Sequence, residues 1–337
     1  MKKIILSAFM LTGMLTFAQD GKLTVSGTVD VYATTNFDNS VKAAPGLPLD
    51  TNDSSVDSEG INLGMANVVF AYEAGKSGVV ADLAFGTRAN AVTTLKSETT
   101  QAINQLYAYY NVNDKLTLTA GHFNTFLGYE VISPASNFNY SYSYLFNAGP
   151  FTHTGAKLDY AASEDLSFML AITNPHADAI AGSVAGHYQI GGQVGYKGQF
   201  LNLVYGAVED GMGLPTDNIF IDYTGGFDIN ETFYLGINAA HSSSKEGNYG
   251  YTGIALYLEK EFNDTFSLGL RPEYFEDKGL NDAFALTLAA NKKFTENLKV
   301  VAELRYDDEE VNYVNIDNAG GTQDTNTALT LAAVYSF

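Results

Sequence analysis

The chain has 337 residues, 46% of them hydrophobic and only 17% charged, and its 38 acidic against 18 basic residues give a net charge of −20. This acidity argues against nucleic-acid binding, because phosphate contacts require basic patches. The sequence contains no cysteine, which excludes disulfide frameworks, thiolate catalysis and Cys-ligated metals. After the first eighteen residues no stretch approaches the ~18 consecutive apolar residues of a spanning helix, so helical transporters and receptors are excluded as well.

The N-terminus has the pattern of a secretory signal peptide. Lys2 and Lys3 precede an apolar stretch over residues 4–17, and small residues lead up to Ala18. A membrane anchor, the alternative, would need a longer apolar span. We therefore expect residues 1–18 to be removed on export and residues 19–337 to form a single domain.

Most of the remaining chain alternates between apolar and polar residues with the period of a β-strand. Residues 23–31 begin this pattern, and it recurs to the C-terminus. It predicts about 16 strands of roughly ten residues each, the length that crosses a bilayer when tilted. The register of residues 61–73 is ambiguous, because Asn62 and Asn67 fall on opposite faces.

Alternation alone also fits a soluble sandwich, so the distribution of charge decides between the two folds. In the strands with a clear register the apolar face carries no charge, as lipid contact requires, whereas a water-filled lumen tolerates charge. A spanning structure without helices must be a closed barrel. The charges on the opposite, lumen-facing side are Asp30, Asp82, Arg88, Lys157, Asp159, Asp222, Glu259, Arg271, Glu273, Lys299, Glu303 and Arg305.

The predicted connections alternate between short and long, as in outer-membrane barrels with short periplasmic turns and long extracellular loops. The long connections are Asp38–Gly60, Asn124–Thr152 and Asp307–Thr325. The fold class is therefore an all-β, transmembrane, antiparallel up-and-down barrel. Pro272 falls within a predicted strand and lacks an N–H, so we expect a bulge or a rim position there. The short turns are predicted at Ala74–Ser77, Asn113–Lys115, Ala162–Asp165, Lys197–Gln199, Ile229–Glu231, Glu261–Asp264 and Lys293–Glu296.

The connection at 124–152 is the candidate functional element. It is the longest, and it holds eight aromatic residues but only one charge, Glu130. So much apolar area is unfavourable in open water. Two arrangements fit: a loop folded into the bore as a constriction, or a cap over the outer mouth. The residues expected to form the constriction are Tyr129, Glu130, Tyr140, Tyr142, Tyr144 and Phe146.

Part of the chain resembles a known family. Residues 120–125 (AGHFNT), 128–132 (GYEVI), 139–146 (NYSYSYLF) and 150–155 (PFTHTG) look like the OmpL-like β-barrel porin-2 family of outer-membrane porins. The Ala18–Gln19 junction likewise resembles signal-peptide cleavage sites common in Bacteroidetes-type bacteria. The resemblance implies an integral outer-membrane channel for passive diffusion of small hydrophilic solutes. It transfers no catalytic residue and identifies no solute.

Two other functions remain open from the residues alone. A barrel hydrolase of lipids or peptides would need a serine such as Ser133 or Ser136 beside His122 or His153. A closed structural or adhesive barrel would need a lumen sealed by side chains. We expect the channel, and not an enzyme, since no hydrolase motif surrounds these serines.

The expected partners are those of a porin. They are outer-membrane lipids and lipopolysaccharide, small hydrophilic solutes or ions, and further copies of the same chain. We expect no cofactor and no metal, because the five histidines show no zinc-type pair and the acidic connections do not match a calcium loop. The excess of acid predicts weak cation selectivity that fades as salt screens it.

Overall fold

The computed structural model describes residues 21–37, 40–42, 60–92, 100–175, 186–209, 215–245, 250–278, 281–315 and 321–337. The predicted signal peptide therefore lies outside the described residues. So does most of the acidic connection at 38–60.

The alternating segments form seventeen strands, consistent with a side-chain period of two. They are β1 (Gly21–Asn36), β2 (Ser40–Lys42), β3 (Gly60–Ala74), β4 (Ser77–Phe85), β5 (Ile103–Asn113), β6 (Leu116–Asn124), β7 (Thr152–Ala161), β8 (Leu166–Thr173), β9 (Gln189–Tyr196), β10 (Gln199–Glu209), β11 (Pro215–Asn230), β12 (Phe233–Ser244), β13 (Gly250–Asn263), β14 (Phe266–Asp277), β15 (Asn281–Lys293), β16 (Leu298–Asn315) and β17 (Gly321–Ser336).

Sixteen of these strands close an antiparallel barrel. Each pairs with the next along the chain, from β3 to β17, and β1 completes the ring by pairing with both β3 and β17. The remaining strand, β2, adds three residue pairs to the far end of β16. The predicted fold class and strand number are confirmed, and all seven predicted short turns join consecutive barrel strands.

Two short helices accompany the barrel. The first, α1 (Thr87–Val92), follows β4, and the second, α2 (Tyr144–Ala148), lies between β6 and β7. Among the described residues, neither helix nor any other is long and apolar enough to cross a membrane.

The ambiguous register of β3 is explained by a β-bulge. Between the pairs Val29–Ala66 and Val31–Leu63 the register shifts by one residue, so Gly64 and Met65 lie opposite Asp30 alone. Met65 N–H donates to the Asp30 carboxylate at 2.9 Å.

Asn62 and Asn67, on either side of this bulge, lie on the same inward face of the sheet. Asn67 pairs with Thr28, and Asn62 pairs with Tyr32. Both partners lie on the inward face of β1. The apparent conflict in the sequence pattern therefore marks the bulge.

Three sequence predictions about secondary structure were wrong. The connection predicted at 307–325 is mostly strand, because β16 continues to Asn315 and β17 begins at Gly321. Arg88 lies on α1 rather than on a barrel strand. Pro272 lies in the middle of β14, where the β13 ladder lacks two pairs but keeps its register on both sides, so no bulge forms there.

The outward face of the barrel is apolar and exposed, as expected for lipid contact. Leu170 and Ile190, for example, are each 63% exposed. The inward face carries the polar and charged side chains of the wall, together with small residues such as Ala285 and Ala332 that are completely buried.

Candidate functional site

The chain between β6 and β7, residues 125–151 (the 125–151 segment), packs against the inward face of the wall. Its rings belong to two buried apolar clusters that also contain wall residues from both sides of the barrel. Tyr140 and Tyr142 pack with Ala289 and Ala332, while Tyr144 packs in the other cluster with Phe275. The small wall side chains leave the volume that the rings fill.

Carboxylates and amides of the wall accept hydrogen bonds from the backbone of this segment. The Glu303 carboxylate accepts from Tyr140 N–H (2.8 Å) and Ser141 N–H (3.1 Å). Glu273 accepts from Leu145 N–H at 2.8 Å and Asp222 from Gly128 N–H at 3.0 Å. A buried segment with little regular structure leaves backbone groups unpaired, and the wall supplies their partners.

Cations of the wall donate to the carbonyls of the same segment. Arg305 donates to Tyr142 O at 2.7 Å, and Arg271 donates to Ser141 O at 2.7 Å. The Lys299 ammonium donates to three carbonyls, those of Pro134 (3.1 Å), Ala135 (3.4 Å) and Asn137 (3.0 Å). Many of the charges predicted to line the bore therefore hold the segment instead of facing water.

The single charge of the segment, Glu130, forms a buried ion pair with the wall. Its carboxylate accepts from Arg271 Nη1 at 2.6 Å, with the two side chains 4% and 0% exposed. It also accepts from the N–H (2.8 Å) and hydroxyl (3.0 Å) of Ser143. Ser143 in turn is the N-cap of α2, its hydroxyl accepting from Phe146 N–H at 3.0 Å.

Arg88 forms a second attachment point through two rings. Its guanidinium lies 4.7 Å from the ring centre of Tyr140 and 4.3 Å from that of Tyr142, a cation–π sandwich. It also donates to Tyr140 O at 2.6 Å. The Tyr140 hydroxyl donates to Asp30 at 2.5 Å, and burial raises the pKa of the Tyr142 hydroxyl, which stays protonated.

The contacts of the segment extend along most of the height of the wall. Lys299, its lowest contact on β16, is the second residue of that strand, next to a short turn. Glu309, which accepts from the Tyr144 hydroxyl, is ten residues further along the same strand. Ten residues of strand correspond to about 33 Å.

The wall opposite these contacts is less covered. Lys157 and Asp159 on β7 pair with each other at 2.7 Å, and their side chains are 25% and 40% exposed. By comparison Asp30, Arg271 and Glu303 are at most 1% exposed. Solvent within the described part of the barrel therefore reaches the β5–β8 wall near the short turns.

The histidines and serines of the hydrolase alternative are not brought together by any hydrogen bond between described residues. His153 Nε2 bonds with the Thr125 hydroxyl at 3.0 Å, and its ring stacks on Phe126. His122 Nδ1 bonds with the Thr154 hydroxyl at 2.7 Å. His241 pairs in register with Ile221, an outward residue of the wall.

Sequence reasoning missed wall residues that take part in the site. Asp307, assigned to a loop, accepts from Arg305 at 2.7 Å inside the barrel. The residues Glu303, Arg305, Asp307 and Glu309 recur every second position, so their period would have revealed the longer strand.

Amides are the other class that was missed. Asn238 and Asn202 both donate to the Asp222 carboxylate, at 2.6 and 2.8 Å. Asn238 also accepts from Tyr129 N–H at 3.3 Å, and Asn291 donates to Phe138 O at 2.9 Å. Nothing in the composition distinguishes these amides from others on the lumen face.

A family model described as "Putative beta-barrel porin-2, OmpL-like" matches residues 22–337. The chain belongs to this family. It is an outer-membrane porin, as the resemblance at 120–155 implied. No curated protein matches the chain.

Solved structures share the fold of this porin-2 chain at low identity. An anion-selective porin from Comamonas acidovorans matches with a TM-score of 0.64 and 13% identity, over 94% of this chain and 100% of the other. The outer-membrane channel DcaP of Acinetobacter baumannii matches with 0.62 and 11%, over 97% and 100%. A trimer form of OmpT from Vibrio cholerae matches with 0.55 and 12%, over 94% and 99%.

Proposed function

We propose that this porin carries small hydrophilic solutes passively, and that the 125–151 segment narrows its bore. The segment's contacts with inward wall residues support the in-folded arrangement over a cap on the outer mouth. A cap would contact the rim, whereas Lys299 and Asn291, close to the short turns, bond to this segment.

The observation that carries the proposal is that the segment is anchored on the wall from β11 to β1 and leaves the β5–β8 wall near the short turns open to solvent. Glu303, Arg305 and Arg271 hold residues 140–142, while the Lys157–Asp159 side keeps solvent exposure. A path between the segment and the β5–β8 wall is then narrower than the barrel itself. A barrel of sixteen strands without such a segment is wide enough for an aqueous channel.

Deletion of Tyr140–Phe146 tests this arrangement. Single-channel recording in planar bilayers should show markedly higher conductance, because the deleted residues occupy space inside the wall of the barrel. A length-matched replacement of the same residues by Gly and Ser should also raise conductance, but less. Unchanged conductance in the deletion, with the barrel folded, would place the segment outside the bore.

The close packing inside the barrel favours one alternative, a closed structural barrel. Tyr140, Tyr142 and Tyr144 are each 1% exposed, and Arg88 is 0% exposed. Single-channel recording of the unmodified protein separates the two functions. Steady current supports the channel, and its absence from a folded, inserted barrel supports the closed form.

We further propose that residues 1–18 direct export and that residues 19–337 are the exported domain. Its outward apolar face would contact outer-membrane lipids and lipopolysaccharide, and the trimer form among its structural relatives supports a homo-oligomer. We propose no enzymatic activity. Hydrolysis of lipid or peptide by the purified barrel, lost on His153→Ala, would contradict this.

A further inference from the structure

We propose that the open face of the lumen, Glu73, Tyr107, Tyr109, Thr117, Lys157 and Asp159, binds neutral polyhydroxylated solutes of the sugar class. This rests on the proposed channel function, because the face lies on the wall opposite the anchored segment. All six side chains point inward, since they pair in register with one another or with inward residues of β3–β8.

Tyr109 provides a flat aromatic surface on this face. A Cβ on Gly78, its partner on β4, would lie 2.5 Å from the Tyr109 ring carbon Cζ and hydroxyl. The ring therefore lies against the wall over Gly78, and only a glycine leaves room for it. Its other side is directed to the lumen, and the residue is only half-buried. The negative face of an aromatic ring attracts the C–H groups of an apolar sugar face.

Polar groups follow Tyr109 along the same row of the sheet. Tyr109 pairs with Thr119, which pairs with Lys157. Two strand spacings correspond to about 10 Å. The Tyr109 ring itself lies over Gly78 on β4, three strand spacings or about 14 Å from the backbone of Lys157 on β7. A saccharide of two rings that stacks one ring on the tyrosine therefore brings the hydroxyls of its other ring beside Lys157 and Asp159.

The ion pair between Lys157 and Asp159 favours binding of a neutral solute over binding of an ion. Lys157 Nζ donates to Asp159 at 2.7 Å, so neither charge is available to an ionic solute without losing its partner. A hydroxyl group suits such a pair, because it donates to the carboxylate and accepts from the ammonium. Most of the other wall charges contact the 125–151 segment, namely Asp30, Asp222, Arg271, Glu273, Lys299, Glu303 and Arg305. Asp82 accepts instead from Asn67 and Asn104. Glu73, which pairs in register with Gly78, adds one more acceptor beside Tyr109.

Neighbouring tyrosines on opposite faces of β5 provide a matched pair of variants. Tyr109→Leu removes the inward ring, and Tyr110→Leu removes an outward ring that is 48% exposed. Maltose is the probe, and saturation-transfer NMR on the detergent-solubilised barrel measures its binding without requiring ion conduction. Block of single-channel current by maltose, compared with a polyethylene glycol of equal size, measures the same binding in the bore.

Binding should saturate in the unmodified protein and in Tyr110→Leu, and weaken on the order of fivefold in Tyr109→Leu. Ion current without sugar should persist in both variants. Equal weakening in both variants, no effect of Tyr109→Leu, or block no greater than that by polyethylene glycol would each overturn the proposal. Tighter binding of an organic amine than of maltose would overturn the sugar class. Absence of ion current with maltose still bound in the NMR experiment would refute the channel and leave the sugar site standing.

Discussion

Neutralising Glu130 should release the 125–151 segment without unfolding the barrel. In Glu130→Gln one carboxylate oxygen becomes an amide NH2 group, which cannot accept a hydrogen bond. Either the bond from Arg271 or the two bonds from the N–H and hydroxyl of Ser143 therefore lose their acceptor. A hydrogen bond to a charged group contributes about 1.5–3 kcal/mol, so the loss of one or two of them costs about 3 kcal/mol. That corresponds to roughly a hundredfold larger population of the released segment.

This loss of stability should be confined to the 125–151 segment, because the barrel strands keep the backbone hydrogen bonds that join them to one another. Limited proteolysis of folded barrels should cleave within residues 125–151 faster in Glu130→Gln. Single-channel records should show more frequent excursions to higher conductance, and ion preference should shift towards anions because Arg271 loses its counter-charge. Asp217→Asn is the control, since its pair with Lys245 is exposed and contributes at most about 1 kcal/mol.

A double-mutant cycle tests whether the pair itself carries the effect. Arg271→Met alone leaves buried carboxylates without their partner, at a cost of about 3–5 kcal/mol. The double variant, Arg271→Met with Glu130→Gln, should lose less stability than the sum of the losses in the two single variants, because the two residues contact each other directly. Additive effects, or a proteolysis rate in Glu130→Gln equal to that of the unmodified protein, would refute the role assigned to the Glu130–Arg271 pair in holding the segment.

Two further predictions concern the fit of the segment and the course of water. Gly64→Ala should loosen the segment and lower the thermal unfolding midpoint, because the new Cβ would lie 1.8 Å from Asp30 Oδ2 and 2.5 Å from the Tyr140 hydroxyl. Gly192→Ala is the control and should have neither effect, because the nearest atoms to its Cβ lie at 3.9 Å. The chain has no cysteine, so single cysteines can report where water enters. Thr117→Cys should react with a charged thiol reagent at least about tenfold faster than Thr330→Cys, since Thr117 is half-buried and Thr330 is only 5% exposed. Equal reaction rates would contradict the proposed water path.

The barrel was predictable because lipid imposes a simple rule on the sequence. Every second residue must be apolar, and each strand must be long enough to span, so both strand number and short turns follow from the pattern. The exceptions arise where the rule stops applying. Beyond Tyr306 β16 continues with charges on both faces, such as Asp308 outward and Asp307 inward, and β17 begins with polar residues, so this part was mistaken for a loop.

The interior of the barrel was less predictable, because no periodicity governs it. The aromatic content of residues 124–152 and the inward charges were both visible in the sequence. Their pairing was not, since it depends on how a non-repetitive segment meets the wall. Arg88 illustrates this: its charge was noticed, but its position on α1 between Tyr140 and Tyr142 required the structure.

Because many wall charges bind the 125–151 segment, few of them remain to determine the ion selectivity of the channel. A charge selects ions only where it meets the water path, and a charge bonded to backbone groups in a dry interior has little effect on that path. Glu303, Arg271 and Arg305 are buried in contacts with the segment, while Lys157 and Asp159 neutralise each other. We therefore expect the weak cation preference predicted from the composition to come from acids that meet the water path, such as Glu73 on the open face of the lumen. Such acids are open to solvent, and screening by salt acts on them more strongly than on buried groups.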